Sequence, residues 1–456
     1  MRKTNSLINN LDWPLLIGFL TLICFGLMTI YSVAFNEESP SIFSFSEKYG
    51  KQIMWIFLSL FLGGIVFLID SDVYKKFALP IYLVTLGLLV VVLFMPPING
   101  ARAWLGVGSM GIQPAEFAKI TTALLLAKYV SDINLKLLSS YNVLIALIII
   151  VIPMGLILLQ PDAGTFVVFT AFFFVLYREG LTFDPFILKF INLLPKVKYK
   201  QTWIGSHFIP ILFVLVFLSI LTILLGHKNL GIIPGLPLYG SFGIIVSLFL
   251  ISVAGILFIQ KFGTKREKVK IRLIIVLSFI VGSASSYFVE YSFVHLADHQ
   301  KDRIELFLGL KEDPNGKDYN RNRAMAAVGS GGFSGKGYKN ASVSSVKTNH
   351  VPESETDFIF CPFAEEWGFL GGAVLLMIYL FIIVRILVIA ERQRSSFNRI
   401  YAYSVGMFFF YHFAINIGMN IGFAPVIGIP LPFFSYGGSS MMSFSIMVFI
   451  LLKLDS

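Results

Sequence analysis

Asp313 is a candidate general base because of the residues that surround it in the sequence. It precedes Pro314 within a polar segment, 289–367, that is rich in charge, glycine and proline. The same segment carries cations on both sides of the aspartate, namely Lys301, Arg303, Lys311, Lys317, Arg321, Arg323 and Lys336. A carboxylate can accept a hydroxyl proton while neighbouring cations stabilise a departing pyrophosphate. The alternative is a solvated turn former, the usual role of Asp in a loop, and spacing alone leaves both interpretations open.

Glu116 and Lys119 are a second candidate for chemistry because they stand three residues apart in an apolar run. On a helix, that spacing puts both side chains on one face. Charged side chains are costly in lipid unless they pair or line a hydrated cavity, so an intramembrane pair indicates a functional site. The alternative is a structural pair that only locks two helices together, and both interpretations stay open.

Three further patterns do not predict a cofactor site. The GxGxxG pattern at 106–111 joins two apolar runs and lacks the strand and helix that a dinucleotide fingerprint needs. The glycines at 329–337 lack the Gly and the Ser or Thr that a phosphate loop requires. His295 and His299 are four residues apart, which suggests a metal, but the metalloprotease pattern is absent. The cofactor is therefore unknown; a divalent cation is compatible with the sequence, but no ligand cluster can be read from it.

Composition and apolar run length indicate that membrane helices position Asp313, Glu116 and Lys119. The chain has 456 residues, of which 56% are hydrophobic and 14% charged, a composition that excludes a soluble protein. Apolar runs of about 20 residues recur, each long enough to cross roughly 30 Å of hydrocarbon. We therefore predict an all-α, polytopic membrane protein with a single membrane domain, 1–456. The twelve predicted spans are 12–34, 52–70, 75–95, 114–131, 141–160, 163–178, 206–226, 239–260, 271–288, 368–390, 399–421 and 434–452.

The distribution of Lys and Arg predicts the orientation of these spans. If the N-terminus is cytoplasmic, 22 of the 36 basic residues fall on the cytoplasmic side. Short outer loops then hold only Lys48, Lys51, Arg102 and Lys228. This bias follows the positive-inside rule, so we predict that both termini are cytoplasmic and that segment 289–367 is extracytoplasmic. The net charge of +10 is then a topology signal with no nucleic-acid partner implied.

Short motifs occur in a fixed order along nearly the whole chain. They are QPAEFAK at 113–119, QPDAGT at 160–165, DPNG at 313–316, GSGGFSGKG at 329–337, PESETDFIFCPFAEE at 352–366, and the segment 416–440, which contains PVIGIPLP and FSYGGSS. In type and order they resemble the motifs of the SEDS family (shape, elongation, division and sporulation). The GSGG and GKG elements are similar to the RodA branch of that family rather than to the FtsW branch.

The resemblance implies an enzyme of the bacterial cytoplasmic (inner) membrane. The expected activity is that of a peptidoglycan glycosyltransferase, which polymerises lipid II for cell-wall elongation, cell shape and the cell cycle. The resemblance makes Asp313 the catalytic base, and it makes Glu116 and Lys119 a functional pair in a central cavity. The residues that it places at the substrate or in the cavity are Arg102, Trp104, Arg303, Lys336 and Ser435. Expected partners are lipid II, a class B penicillin-binding protein that acts as transpeptidase, and other membrane proteins of the elongation machinery.

The chain departs from the family pattern in two places. Residues 318–320 are DYN and 322–323 are NR, where the family has GYQ and QS, so no role is carried over to these positions. The family has ten spans, so that the predicted 206–226 and 239–260 form a surplus pair within an insertion at 201–262. Two other functions share the expected lipid substrate or partners: a transporter that flips lipid II, and a non-enzymatic scaffold for wall-synthesis proteins.

Overall fold

The computed structural model confirms an all-α membrane architecture. It describes residues 11–35, 41–97, 101–106, 111–133, 139–191, 203–214, 240–262, 265–295, 317–344 and 351–456. Within these ranges the regular structure is helical, apart from one isolated antiparallel bridge between Leu105 and Ile112. Asp313, Arg303 and His299 lie outside the described residues.

Fifteen labelled helices define the described part of the chain. The first nine are α1 (Trp13–Val33), α2 (Lys48–Leu68), α3 (Ser71–Val92), α4 (Pro114–Asp132), α5 (Ser140–Leu159), α6 (Ala163–Phe169), α7 (Ala171–Arg178), α8 (Asp184–Ile191) and α9 (Trp203–Ser206). The remaining six are α10 (Gly240–Phe262), α11 (Lys265–Val294), α12 (Lys317–Ser330), α13 (Phe360–Arg392), α14 (Ser396–Asn420) and α15 (Gly438–Asp455).

Eight helices in the described ranges are long and apolar enough to cross a membrane: α1, α2, α3, α5, α10, α13, α14 and α15. The predicted count of twelve spans is not confirmed. The predicted span 163–178 is divided between α6 and α7, and most of the predicted span 206–226 lies outside the described residues. The predicted span 271–288 lies within α11, which is helical but is not among the eight.

Helix α4 has a larger buried fraction than the helices that pack against it in the first unit. Fourteen of its 19 residues are buried, including both members of the predicted charged pair. By contrast, helices nearer the periphery expose large apolar side chains; Phe57 of α2 is 75% exposed and Phe77 of α3 is 52% exposed. Exposed apolar side chains on a spanning helix can face lipid at no cost. The polar helix therefore occupies the protein interior, and the apolar helices separate it from the hydrocarbon.

The chain divides into two compact units. The first contains 1–133, 145–175 and 313–456, and the second contains 134–144 and 176–312. In the first unit, α4 packs against α3, α6, α14 and α15, while α13 packs against α1, α12 and α14. Helix α2 lies along α15. In the second unit, α10 packs against α11, and α8 packs against α9.

Helix α13 is kinked at Gly368, where the predicted span begins. Gly368 has φ 66°, a left-handed conformation that favours glycine. A Cβ atom at this position would lie 2.3 Å from the backbone nitrogen of Gly335. The close approach of these two backbones lets the segment that follows α12 pack directly on the first turns of α13. The kink separates 360–367 from the longer apolar part of the helix.

Asp12, at the start of α1, forms a clamp with Arg385 and Arg392 near the end of α13. Asp12 accepts a hydrogen bond from the backbone nitrogen of Leu15 at 3.1 Å, which caps α1. Its carboxylate also accepts from Arg385 Nη2 and from Arg392 Nη2, each at 2.8 Å. Arg392 in turn pairs with Asp455 at the end of α15. One buried carboxylate therefore connects α1, α13 and, through Arg392, α15.

The surroundings of Asp12 have opposing effects on its pKa. Burial raises the pKa, but hydrogen bonds and charge from Arg385, the Leu15 backbone and Arg392 outweigh that effect, and the pKa lies below the ordinary value. A lowered pKa in the folded state means that the stabilisation is fully present above the unfolded value, near pH ~3.9, and is lost as the pH falls through the folded value.

Asp12→Asn should lower the thermal stability of the detergent-solubilised protein. The amide can still cap α1 but cannot compensate the two arginine charges. We expect a loss of about 2–3 kcal/mol, less than the ~3–5 kcal/mol of a fully buried pair because both arginines are partly exposed. Melting curves between pH 7 and pH 3 should show that the wild-type protein loses this advantage in acid. Unchanged melting of Asp12→Asn at pH 7 would contradict the clamp, and Asp12→Ala measures the added loss of the cap.

Candidate functional site

Lys119 is an ammonium ion buried at the centre of the first unit. Its side chain is 0% exposed, and its Nζ atom lies 2.9 Å from Glu116 Oε1. The same nitrogen lies 3.0 Å from Nε2 of His412 and 4.9 Å from the ring centroid of Phe444. The predicted pairing of Glu116 with Lys119 is thus present in the structure, and the pair has two further partners on other helices.

His412 is fixed as a neutral acceptor by its second ring nitrogen. Nδ1 lies 3.0 Å from the carbonyl oxygen of Pro430, which can only accept, so the proton is assigned to Nδ1. Nε2 then carries the lone pair that accepts from Lys119. On the opposite side of the pair, the Ser443 hydroxyl donates to Glu116 Oε2 at 2.7 Å. The buried cluster thus links α4, α14, α15 and the segment 421–437.

Local sequence explains why the pair sits near the start of α4. Pro114 occupies the first helical position, where its missing N–H costs nothing. Glu116 follows in the first turn, where a carboxylate is stabilised by the helix dipole. Lys119 is one turn further and therefore faces the same neighbours. On α15, Ser439 and Ser443 are four residues apart and contact the start of α4 with the same face.

A second polar cluster holds the starts of α4, α6 and α15 together. Asp162 caps α6 by accepting from Thr165 N at 3.0 Å, and it also accepts from Gln113 Nε2 at 2.8 Å. The backbone nitrogen of Gln113 donates to Ser439 Oγ at 3.0 Å. Burial raises the pKa of Asp162 more than the hydrogen bonds from Thr165 and Gln113 lower it, and the charge of Glu116 adds to the rise.

Arg102 and Trp104 lie on a short hairpin beside this cluster. The hairpin is closed by the bridge between Leu105 and Ile112. Arg102 is exposed; its backbone nitrogen donates to the Gln160 carbonyl at 3.3 Å and its Nη1 donates to the Leu93 carbonyl at 3.2 Å. The Trp104 ring is half-buried. The structure therefore places Arg102 where an anionic group could reach it from outside.

Glu365 anchors the glycine-rich segment that follows α12. This buried carboxylate accepts from the backbone nitrogens of 342, 343 and 344 at 2.9–3.0 Å. Oε2 also accepts from the Ser344 hydroxyl, and Oε1 from Lys336 Nζ at 2.6 Å. Because a carboxylate has about four acceptor directions, these five donors leave none of them unused. Glu365 therefore determines the conformation of the segment.

Lys336 is held within the same segment by three acceptors. Besides Glu365, its ammonium group donates to Ser330 Oγ at 2.9 Å and to Ser342 Oγ at 2.8 Å. An ammonium group has three hydrogens, so all of them are used in this conformation. The side chain is 29% exposed. In this arrangement Lys336 positions the loop. To contact a substrate anion, its ammonium group would have to replace one of these three hydrogen bonds with a bond to that anion.

Ser435 joins the segment 351–359 to the segment 421–437. Its hydroxyl accepts from Leu431 N at 2.8 Å and donates to the carbonyl of Thr356 at 2.7 Å. Nearby, Asn416 Nδ2 donates to the carbonyl oxygens of Asp357 and Ile429. These contacts fix the segment 351–359 against the segment 421–437. Ser435 is 4% exposed, so its hydroxyl is committed to this junction.

The structure does not place the predicted general base. Asp313 and Arg303 lie outside the described residues, as do Lys301 and Lys311. Within the described ranges, no group of three His, Cys, Asp or Glu side chains could hold a metal ion. The described part of the candidate site therefore consists of the buried Glu116–Lys119 cluster, the Arg102 hairpin and the loop anchored by Glu365.

His412 and Ser443 are site residues that sequence reasoning missed. His412 is 2% exposed and lies in a spanning helix, and a titratable residue within such a span is itself a signal of function. That signal could have singled out the histidine, but not its contact with Lys119, which is 293 residues away in the chain. Ser443 carries no such signal, because serine is common in membrane helices.

Comparisons with known proteins agree with this architecture. The family model FTSW_RODA_SPOVE, described as cell cycle protein, matches residues 13–199 and 238–456. A curated relative from Treponema pallidum, named peptidoglycan glycosyltransferase RodA, is 30% identical over 463 residues, covering 98% of both chains. The Escherichia coli K12 protein named peptidoglycan glycosyltransferase MrdB is 28% identical, covering 95% of this chain and 90% of its own length.

Two solved structures share the fold. One is a chain of a peptidoglycan synthase complex that coordinates polymerization and crosslinking, with a TM-score of 0.63, 21% identity, and coverage of 98% of this chain and 97% of that chain. The other is the rod shape determining protein RodA of Thermus thermophilus, with a TM-score of 0.54, 20% identity, and coverage of 98% and 96%. Since the family model covers most of its length, this chain belongs to the FtsW/RodA/SpoVE family of cell cycle proteins.

Proposed function

We propose that this protein is a peptidoglycan glycosyltransferase that polymerises lipid II into glycan strands for cell-wall elongation and cell shape. The observation that carries the proposal is the 30% identity, over 98% of both chains, to a relative named peptidoglycan glycosyltransferase RodA. The protein works in the bacterial cytoplasmic membrane with both termini in the cytoplasm. The bias of basic residues supports that orientation, and the eight apolar helices support a multi-pass protein.

The reaction forms one glycosidic bond and breaks one bond to phosphate. The 4-hydroxyl oxygen of an acceptor GlcNAc attacks the anomeric carbon of a MurNAc that is linked to undecaprenyl pyrophosphate. Asp313 takes the hydroxyl proton, and the pyrophosphate leaves with the bonding electron pair, which inverts the anomeric centre. Cations stabilise the leaving group. Arg102 is a suitable cation because its guanidinium group is exposed, and Arg303 is the second candidate.

The Glu116–Lys119 pair serves the reaction from inside the protein. Lys119 is fully buried and is held by Glu116 and His412. Its role in the described conformation is to hold the start of α4 against α14 and α15. Gln113 and Ser439 are hydrogen-bonded at the starts of α4 and α15. The Glu116–Lys119 pair therefore helps to fix the helix starts that lie beside the Arg102 hairpin. Direct contact with substrate would require Lys119 to leave His412.

The partner that fits this function is a class B penicillin-binding protein, whose transpeptidase activity crosslinks the new strands. Support comes from the fold shared with a chain of a peptidoglycan synthase complex that couples polymerization to crosslinking. Other membrane proteins of the elongation machinery are further partners. Segment 201–262 is proposed as an insertion; the family model leaves 200–237 unmatched, which overlaps that range at 201–237, and it matches 238–262.

Removing either charge of the buried pair should cost more stability than removing both. Glu116→Gln or Lys119→Met leaves the other charge uncompensated, with an expected loss of about 3–5 kcal/mol. The double variant Glu116→Gln/Lys119→Met should recover much of that loss, measured by thermal melting in detergent. Polymerisation of lipid II should stay low in the double variant. Full activity of the double variant would assign the pair a purely structural role.

Asp313→Asn should abolish polymerisation while the protein folds and binds lipid II normally. Asparagine keeps the size and turn-forming ability of aspartate but cannot accept the proton. We expect glycan synthesis from purified lipid II to fall by at least about 10²-fold, the low end for a lost general base. The measurement is the initial rate of glycan-strand formation on gels, with lipid II binding followed in parallel.

Glu312→Gln and Asp318→Asn are the matched controls for Asp313→Asn. A general electrostatic effect of the segment would spread the loss over all three variants, whereas a catalytic base concentrates it in one. A transporter of lipid II would keep its transport activity in Asp313→Asn, and a scaffold would show no defect while its partners still bind. Polymerisation by Asp313→Asn at the wild-type rate would refute the proposed mechanism.

A further inference from the structure

A polar cavity opens where α1 and α14 begin and where α13 and α15 end. Its volume is about 710 Å³. Three arginines line it, Arg385, Arg392 and Arg394, together with Asp12 and Asp455. Its other lining residues include Ser395 and two amides, Gln393 and Asn398, which already donate to Asp455 Oδ1 and to the Leu454 carbonyl. The charged side chains of the lining, three arginines and two aspartates, therefore leave one excess positive charge.

The arginines retain donors that their carboxylate partners do not use. Arg385 donates to Asp12 through Nε and Nη2. Arg392 donates to Asp455 through Nε and to Asp12 through Nη2. Their Nη1 groups have no partner among the described residues, and neither has the exposed guanidinium group of Arg394. Arginine forks of this kind match the geometry of phosphate oxygens.

An apolar groove continues from the polar cavity between α1 and α13. Trp13 and Pro14 line both spaces. The groove has a volume of about 550 Å³ and is lined further by Ile17, Gly18 and Thr21 of α1 and by Val374, Met377, Ile378 and Phe381 of α13. From residue 13 to residue 21, α1 rises about 12 Å. That length is close to one leaflet, half of the roughly 30 Å hydrocarbon core.

A third space adjoins the polar cavity on α13. It has a volume of about 490 Å³ and is lined by Val384, Leu387 and Val388 with Glu391 and Arg392. Arg392 is shared with the polar cavity. Two apolar surfaces thus adjoin one cationic cavity at the membrane boundary, an arrangement that matches a molecule with an anionic head and two hydrocarbon chains.

We propose that this composite site binds an anionic phospholipid of the surrounding membrane. The phosphate lies in the polar cavity on Arg394 and the unused Nη1 groups of Arg385 and Arg392. One acyl chain lies along the groove between α1 and α13, and the other covers the apolar surface around Leu387. Basic pockets between membrane helices bind anionic headgroups in this way. The bound lipid covers the Asp12 clamp and stabilises the contact between α1 and α13.

The test measures which phospholipids the intact protein retains. Protein purified in mild detergent is exchanged into phosphatidylglycerol or phosphatidylethanolamine, and bound lipid is counted by native mass spectrometry. Arg394→Gln should reduce phosphatidylglycerol binding by about fivefold, the equivalent of about 1 kcal/mol per basic residue. The matched control is Lys76→Gln, which removes one exposed positive charge at the start of α3. Equal losses in both variants, or equal binding of both lipids by the wild-type protein, would overturn the proposal.

A second pair of variants tests the groove. Thr21→Phe places a ring in the groove and should reduce lipid retention, while Leu20→Phe adds the same ring to a lipid-facing position outside it. A photoreactive residue at position 377, where Met377 is 59% exposed, should crosslink to phospholipid. A crosslink to another polypeptide, or to a second copy of this chain, would assign the groove to a protein and refute the lipid site.

Discussion

The interior of the first unit depends on compensating one buried ammonium ion. An isolated charge at this depth would cost several kcal/mol, so Lys119 must be surrounded by acceptors. Glu116 neutralises its charge, and His412 accepts a second hydrogen bond. Ser443 completes the carboxylate's coordination from α15. Three helices are therefore held in one arrangement by a single set of polar contacts, in an environment that offers them no hydrophobic driving force for association.

The same contacts extend to the segments 351–359 and 421–437. His412 donates to the Pro430 carbonyl, and one residue away the Ile429 carbonyl accepts from Asn416. Asn416 also donates to the carbonyl of Asp357, in the segment that Ser435 fixes through Thr356. Hydrogen bonds and the peptide link between Ile429 and Pro430 thus connect the intramembrane pair to the segment 351–359. Together with the loop that Glu365 anchors, these contacts hold the segments 331–344, 351–359 and 421–437 of the first unit in place.

Local patterns predicted the features that depend on residues close in the chain. The spacing of Glu116 and Lys119 predicted an ion pair, because i and i+3 positions always share a helix face. Apolar run length predicted most of the helices, although their boundaries moved by several residues. The kink at Gly368 coincides with the predicted start of its span, and the backbone of Gly335 packs closely against it. No local pattern contains that contact.

Features that depend on distant partners could not be predicted in this way. Contact of Lys336 with substrate stays a prediction, but its hydrogen bond with Glu365, 29 residues later, could not be read from the local sequence. Ser435 was expected at the substrate too, and its hydroxyl bridges two backbone segments. The role of His412 follows only from the packing of α14 against α4. The number of spans could not be obtained from run length, since polar helices such as α4 and broken ones such as α6 and α7 obscure it.

The most direct measurement of the central claim is strand synthesis by the purified wild-type protein. Lipid II is supplied as the sole substrate, and the protein is tested alone and together with a class B penicillin-binding protein whose transpeptidase is inactivated. The account predicts glycan strands that require this chain, with release of undecaprenyl pyrophosphate, and greater yield when the partner is present. Absence of strands from folded, monodisperse protein in the presence of its partner would contradict it.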